Sequence, residues 1–150
     1  MKTLLKLVPC LAFAVAAAGC LGFERQSTTG PTAGGMNSLM GSWSSSNIIP
    51  SPSSCADFKW NVTEQTATTA KGSFSATCAG DQKLEGTAEG SLSGSVVNWS
   101  AQGTASAPGL ASCGFSLTGA AHIGMDSVRV PYSGTTCLGA VNGEEILRKR

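Results

Sequence analysis

The chain has 150 residues, of which 41% are hydrophobic and only 13% are charged, and its formal net charge is +1. A chain of this length has room for one domain of ordinary size, which excludes a pair of large domains. The near balance of basic and acidic residues offers no basic surface for phosphate groups, so nucleic acid is excluded as a partner.

The first 19 residues have the pattern of an export signal. Lys2 and Lys6 accompany an apolar, Ala-rich run over residues 7–18, and this run is too short for a membrane-spanning helix. We therefore predict a signal peptide over residues 1–19. Its removal takes away two lysines and leaves eight basic and nine acidic residues.

The signal ends in Ala17-Ala18-Gly19-Cys20, which resembles the bacterial lipobox. The resemblance implies that Cys20 receives a diacylglycerol thioether and becomes the first residue of the mature chain. Its acyl chains would hold the protein on a membrane, because each buried methylene contributes about 0.8 kcal/mol. Leu21 stands where an inner-membrane retention signal would place Asp, so the resemblance implies the outer membrane. We expect a lipoprotein of the cell envelope, on the periplasmic face or the surface of the outer membrane.

A flexible tether is predicted between the lipid and the folded part of the protein. Residues 20–39 are rich in Gly, Ser, Thr and Pro and lack apolar periodicity, which is typical of a flexible linker. The folded domain is therefore expected over residues 40–150.

From Gly41 onward, apolar residues recur at every second position, as in Phe58, Trp60 and Val62. This alternation is typical of strands with one buried face. Turn segments, most of them containing Gly, separate the alternating stretches and predict eight strands. These strands cover residues 41–46, 57–64, 72–78, 83–89, 95–102, 113–121, 127–133 and 141–148. Eight short strands in meander order predict an all-β fold, a small antiparallel up-and-down barrel without exposed edges.

Four cysteines remain in the predicted barrel, namely Cys55, Cys78, Cys113 and Cys137. An even number of cysteines in an exported protein indicates two disulfides, and four cysteines allow three connectivities. A zinc site is disfavoured, because no two of them have the short spacing of zinc ligands.

Hairpin register favours Cys55 with Cys78, because directly opposed residues face the same side of a sheet. If Trp60 lies opposite Phe74, one extra residue near Asp57 brings the two cysteines together. A single bulge of this kind is common at the ends of barrels.

The same reasoning favours Cys113 with Cys137. If Leu117 lies opposite Tyr132, one extra residue near Gly134 places these cysteines opposite each other. Two disulfides, each closing a loop of a little over 20 residues, would each contribute roughly 3 kcal/mol to stability.

Gly41-Ser42-Trp43 begins the first predicted strand, and Arg148 lies at the end of the last. This arrangement resembles the calycin superfamily of lipocalin and avidin-like barrels. In that superfamily a Gly-x-Trp motif packs beneath a basic residue from near the end of the barrel. The resemblance implies that Trp43 and Arg148 close the barrel, and that the barrel has a ligand cavity.

The sequence contains no recognisable catalytic group. His122 lies at a predicted hairpin end without a nearby nucleophile, carboxylate or cysteine, and it is interpreted as a surface residue. Glu144 and Glu145 are adjacent on a strand, so their side chains point to opposite faces and cannot act as a carboxylate pair. Both are interpreted as solubilising residues. We expect no enzyme activity, no cofactor and no metal.

One candidate function is the binding of a small apolar or amphipathic envelope molecule inside the barrel. Several inward positions hold small residues that would leave room for a ligand. These residues are Gly86, Ala88, Gly119 and Ala121. The candidate lining residues are Trp60, Trp99, Phe115 and Tyr132.

The alternative function is a protein-interaction module that binds an envelope protein through its loops or an edge. Small, lipid-anchored barrels with disulfides resemble the bacterial inhibitors of c-type lysozyme. The resemblance implies a periplasmic enzyme as the partner.

Overall fold

The computed structural model describes residues 38–150 of the chain. The predicted signal peptide, Cys20 and the tether as far as residue 37 lie outside this part. The described part contains eight β-strands: β1 (Gly41–Ser44), β2 (Cys55–Gln65), β3 (Thr69–Cys78), β4 (Gln82–Ser93), β5 (Val96–Ser106), β6 (Cys113–Ile123), β7 (Ser127–Thr136) and β8 (Gly139–Lys149). Residues 38–150 contain no helical segment with the length and hydropathy of a transmembrane helix.

The strands form a closed barrel in which each strand pairs with its neighbours in sequence order. All the pairs are antiparallel, including β1 with β8. The predicted fold class, an all-β up-and-down barrel with eight strands, is confirmed. Closure pairs the two strands that would otherwise be edges, which removes the exposed sheet edges of an open sheet.

Strand β4 shows why these segments form strands. Leu84, Ala88 and Leu92 are buried in the barrel, whereas Glu85 and Glu89, which lie between them, are exposed. Alternate side chains of a strand point to opposite faces. Burial of one apolar face therefore selects the strand conformation and its register.

The first disulfide and its bulge are as expected. Cys55 is bonded to Cys78 and pairs with it in register. The register shifts by one residue between Ala56 and Lys59, and Asp57 there has a φ of 51°. One extra residue at this point thus aligns the two cysteines.

The second disulfide, Cys113–Cys137, is also confirmed, but the predicted register of its hairpin is wrong. Leu117 pairs with Gly134 rather than with Tyr132, and the pairing register is the same on both sides of Pro131. The bulge expected near Gly134 is absent. A Cβ at residue 134 would lie 1.9 Å from the Ser116 carbonyl oxygen. Gly134 therefore allows β6 and β7 to approach closely, and it does not form a bulge.

The two ends of the barrel are closed in different ways. The N-terminal end carries Ser38–Met40 and the turns 66–68, 94–95 and 124–126. Leu39 is fully buried there, and its backbone N–H donates to Gln65 Oε1 over 2.8 Å. The packed barrel thus includes Leu39, which lies just before the predicted boundary at residue 40.

The opposite end, which we call the disulfide end, carries both disulfides. Its connections are loop 45–54, the turn 79–81, loop 107–112 and the turn 137–138. In the described part, the residues of the hydrophobic core range in sequence from Leu39 to Leu147. Each of the eight strands contributes at least one residue to this core.

Candidate functional site

The interior of the barrel is filled by aromatic rings. Phe74 lies at the centre, with ring centroids 5.4 Å from Phe58, 6.3 Å from Trp99 and 6.1 Å from Phe115. The Phe58 and Tyr132 rings are 4.9 Å apart. Contacts of this kind contribute about 0.5–1.5 kcal/mol each beyond the burial of apolar area.

A small apolar cavity remains within this core. Its volume is about 30 Å³, and Trp60, Trp99, Ala88 and Ala121 are among the side chains that line it. A single water needs about 10–15 Å³ measured in this way. The cavity therefore has room for two or three water-sized groups. Of the four candidate lining residues, Trp60 and Trp99 line this cavity.

Phe115 and Tyr132 do not line the cavity, because they have packing roles elsewhere. Phe115 packs on Phe74. The Tyr132 hydroxyl accepts a hydrogen bond from the Cys55 N–H over 2.6 Å and donates one to the Cys55 carbonyl over 3.0 Å. Burial raises the pKa of Tyr132. Tyr132 thus ties β7 to the start of β2 beside the first disulfide.

The inward glycines do not leave room for a ligand. A Cβ at Gly86 would lie 2.0 Å from the Gln102 carbonyl oxygen, and one at Gly119 would lie 2.0 Å from the Pro131 carbonyl oxygen. The Trp99 indole nitrogen also lies 2.9 Å from the position of a Cβ at Gly119. These glycines allow neighbouring backbones and a large ring to approach closely.

The cation that covers Trp43 is Lys149 and not Arg148. Trp43 pairs with Lys149, whose ammonium nitrogen lies 5.6 Å from the centre of the Trp43 ring. Arg148 pairs with Ser44 one position away and is exposed. Alternate residues of a strand face opposite sides, so only one of the two basic residues can reach the ring. The Trp43 indole N–H donates to the Leu39 carbonyl over 2.7 Å.

Three large aliphatic side chains are exposed at the disulfide end, and we call them the apolar tips. Ile48 is 86% exposed, Leu110 51% and Leu138 54%. Each belongs to a different connection of that end, and Leu138 follows Cys137 of the second disulfide directly. Sequence reasoning missed all three. The available signal was an aliphatic residue beside a Gly or within two residues of a Pro in a predicted connection.

The loops that carry the tips are held to the barrel. The Cys113–Cys137 disulfide joins the end of loop 107–112 to the turn 137–138. Loop 45–54 is bonded to β8, because the Asn142 N–H donates to the Ser53 carbonyl over 2.8 Å. The tips are thus presented on a braced surface.

The interpretation of Glu145 as a solubilising surface residue is wrong. It is only 2% exposed and points into the barrel, whereas Glu144 is exposed and forms an ion pair with Arg129 at 2.7 Å. The adjacent glutamates do face opposite sides, but only Glu144 is a surface residue. Asn47 Nδ2 donates to Glu145 Oε2 over 3.0 Å, and Ser45 also bonds to this carboxyl. Burial raises the pKa of Glu145 above its ordinary value.

His122 is exposed on β6. Within residues 38–150 no group of three or more His, Cys, Asp or Glu side chains has the arrangement of a metal site. The chain has no significant match among protein-family models, curated proteins or solved structures. Its function is therefore inferred from the geometry of its own surface and core.

Proposed function

We propose that this protein is a non-catalytic interaction module of the bacterial cell envelope. It is anchored to a membrane by acylated Cys20 and binds a partner protein through the apolar tips Ile48, Leu110 and Leu138. The observation that carries the proposal is the exposure of three aliphatic side chains at one end of a disulfide-braced barrel.

The energetic basis is burial of the tips against a partner. Burial of apolar surface contributes about 25 cal/mol per Å². Loops that are already held by disulfides and hydrogen bonds lose less conformational freedom on binding, which favours affinity. The tips also lie at the end opposite to Ser38, so a tether that enters at Ser38 leaves them accessible to a partner.

The chemistry of this end indicates a partner with an apolar depression and little net charge. The described charged groups near its strand ends are balanced. Asp57 and Lys59 form an exposed ion pair at 2.9 Å, and Asp81 and Lys83 follow on the next hairpin. Strong electrostatic steering is therefore not expected, and association should depend weakly on salt.

The test compares capture of envelope proteins by the immobilised barrel, residues 38–150, with capture by a triple variant. We expect Ile48→Ser, Leu110→Ser and Leu138→Ser together to abolish capture of a partner that the unmodified barrel retains. Met125→Ser is the matched control, because Met125 is 89% exposed at the opposite end. Equal capture by the barrel and its triple variant would reject the tips as the binding surface.

The lysozyme-inhibitor version of the proposal has a direct assay. A c-type lysozyme is mixed with excess barrel, and its rate of cell-wall lysis is measured. Inhibition that the triple variant loses would support this version. Full lysozyme activity in the presence of excess barrel would exclude it.

The apolar cavity supports a second candidate, the binding of a small apolar molecule. Its volume of about 30 Å³ restricts an occupant in this conformation to the size of two or three waters. An amphipathic molecule would require the barrel to expand. Comparison of the native and denatured masses of protein purified from the envelope tests this candidate, because a bound molecule adds a discrete increment to the native mass.

A further inference from the structure

The barrel has a seam beside β8 that is covered by a loop and not by a strand. β1 pairs with β8 only through Trp43–Lys149 and Ser44–Arg148, although β8 begins as early as Gly139. Loop 45–54 lies along this part of β8 and is bonded to it through Ser53 and Asn142. The closure of this side of the barrel therefore depends on how the loop is held.

Glu145 lies beneath this loop and interacts with two of its side chains. Its carboxyl accepts a hydrogen bond from Asn47 Nδ2 over 3.0 Å, and the Ser45 hydroxyl lies close enough to act on it as a donor. The Ser45 hydroxyl oxygen in turn accepts a hydrogen bond from the Phe58 N–H over 3.0 Å. Asn47 directly precedes Ile48, the most exposed of the apolar tips.

The surroundings of Glu145 contain no compensating cation. Among the described residues, no basic side chain lies within ion-pair distance of it, and the titratable groups that act on it are Asp57 on β2 and Tyr132 on β7. A buried carboxylate without a cation depends on hydrogen-bond donors for its stability. Its donors outside the strands are the two loop side chains.

We propose that Glu145 is a positioning residue that latches loop 45–54, and with it Ile48, onto the barrel. Its importance for partner binding rests on the proposed function, whereas the latch itself is a property of the barrel alone. Removal of the carboxyl leaves Asn47 and Ser45 without their acceptor, so the loop leaves the seam more often.

The latch is expected to weaken as the pH rises. In the closed barrel, burial disfavours the ionised carboxylate more than the donors Ser45 and Asn47 favour it, so the pKa of Glu145 is raised. In an open barrel the carboxylate is hydrated and ionises at its ordinary pKa. Deprotonation therefore favours opening. A glutamine at this position keeps an acceptor for Asn47 but cannot ionise, so it should hold the loop closed at every pH.

The test measures hydrogen exchange by NMR on the barrel, residues 38–150. The reporter amides are Ser45, bonded to the Phe58 carbonyl, and Asn142, bonded to the Ser53 carbonyl. The reference amides are Leu92 and Ile123, which are bonded to turns at the N-terminal end. The ratio of reporter to reference exchange removes the intrinsic effect of pH on exchange rates.

We expect Glu145→Ala to raise this ratio at least tenfold, and Glu145→Gln to restore it. In the unmodified barrel the ratio should increase with pH, and in Glu145→Gln it should not. Glu144→Gln is the matched control and should leave the ratio unchanged. If Glu145→Ala does not fold, the pH dependence of the unmodified barrel and of Glu145→Gln decides the question.

Two results would overturn the latch. One is equal acceleration of reporter and reference amides in Glu145→Ala, which would mean general destabilisation. The other is a ratio with the same pH dependence in the unmodified barrel and in Glu145→Gln. Neither readout involves a partner, so failure of the latch and failure of the proposed function are distinguishable.

Discussion

At the scale of single residues, two polar side chains inside the barrel have specific structural tasks. Tyr132 bonds to both backbone groups of Cys55, and Glu145 bonds to the loop over the seam. A buried polar group that loses its partner costs about 1–3 kcal/mol. Conservative substitutions of these two side chains should therefore change the free energy of unfolding strongly.

Tyr132→Phe removes one hydroxyl and leaves the ring in place. Because the Cys55 N–H and carbonyl lose their partner, we expect the free energy of unfolding to fall by about 1–3 kcal/mol. Ser133→Ala, which also removes a hydroxyl but at an exposed position of the same strand, should change it by less than about 0.5 kcal/mol. Urea unfolding followed by tryptophan fluorescence measures both. Equal effects would contradict a special role for the Tyr132 hydroxyl.

Glu145 should also affect how stability depends on pH. Its pKa in the folded barrel is raised above the ordinary value of 4.5 by burial. The stability it contributes is therefore complete below pH 4.5 and is lost as the pH rises through the raised pKa. We expect Glu145→Gln to become more stable relative to the unmodified barrel as the pH rises. Urea unfolding at several pH values checks this, and a difference that stays constant with pH would refute it.

At the scale of strands and loops, the two disulfides differ in exposure. Cys55 and Cys78 are each 1% exposed, whereas Cys113 and Cys137 are partly accessible. The two bridges span 23 and 24 residues of sequence, so their entropic contributions should be similar, about 3 kcal/mol each. Access to solvent, and not loop length, should decide which one is reduced first.

We expect a mild water-soluble reductant to open Cys113–Cys137 while Cys55–Cys78 remains intact. A reductant must reach a sulfur atom in line with the bond, which burial of the first disulfide prevents. Alkylation of the released thiols followed by peptide mapping identifies the bridge that opened. Release of Cys55 and Cys78 first would contradict the prediction.

The core cavity allows a matched pair of substitutions on neighbouring strands. Ala121 lines the cavity, so Ala121→Val should fill it and raise the free energy of unfolding by about 0.5–2 kcal/mol. Ala101 is 1% exposed and does not line the cavity, so Ala101→Val should overpack the core and lower it by about 1–3 kcal/mol. Thermal unfolding compares them. Destabilisation by both substitutions would show that the cavity does not accept the added methyl groups.

At the scale of the whole molecule, the barrel separates two functions. We propose that one end receives the tether from the membrane and the other presents the apolar tips to a partner. A closed barrel suits this arrangement, because β1 and loop 45–54 together cover the edge of β8 that would otherwise pair with other chains.

The anchor is tested by Cys20→Ser in the full-length protein. We expect the unmodified protein to sediment with membranes and to carry the added mass of acyl chains at its N-terminus. The variant should carry no acyl mass. Mass spectrometry of the purified proteins measures this directly. An unmodified protein without acyl mass would reject lipid anchoring and leave the barrel itself unaffected.

The sequence alone determined the features that depend on local periodicity and on short-range pairing. Alternation of apolar residues predicted the strands and their meander order. Opposition of Trp60 and Phe74 in one hairpin predicted the first disulfide with its bulge. These features could be predicted because neighbouring strands of a hairpin constrain each other through a short turn.

Features that depend on closure of the barrel could be seen only in the folded structure. The pairing of β1 with β8 places Lys149 over Trp43, creates the seam and buries Glu145 under a loop almost 100 residues earlier in the chain. The antiparallel meander already places Ile48, Leu110 and Leu138 at one end, and the structure adds that all three side chains are exposed there. From the sequence, both adjacent glutamates were interpreted as solubilising surface residues. The alternation of residues along a strand carries no information about which loop covers that strand. Loop 45–54 covers this part of β8 only because closure of the barrel brings together segments that are far apart in the sequence.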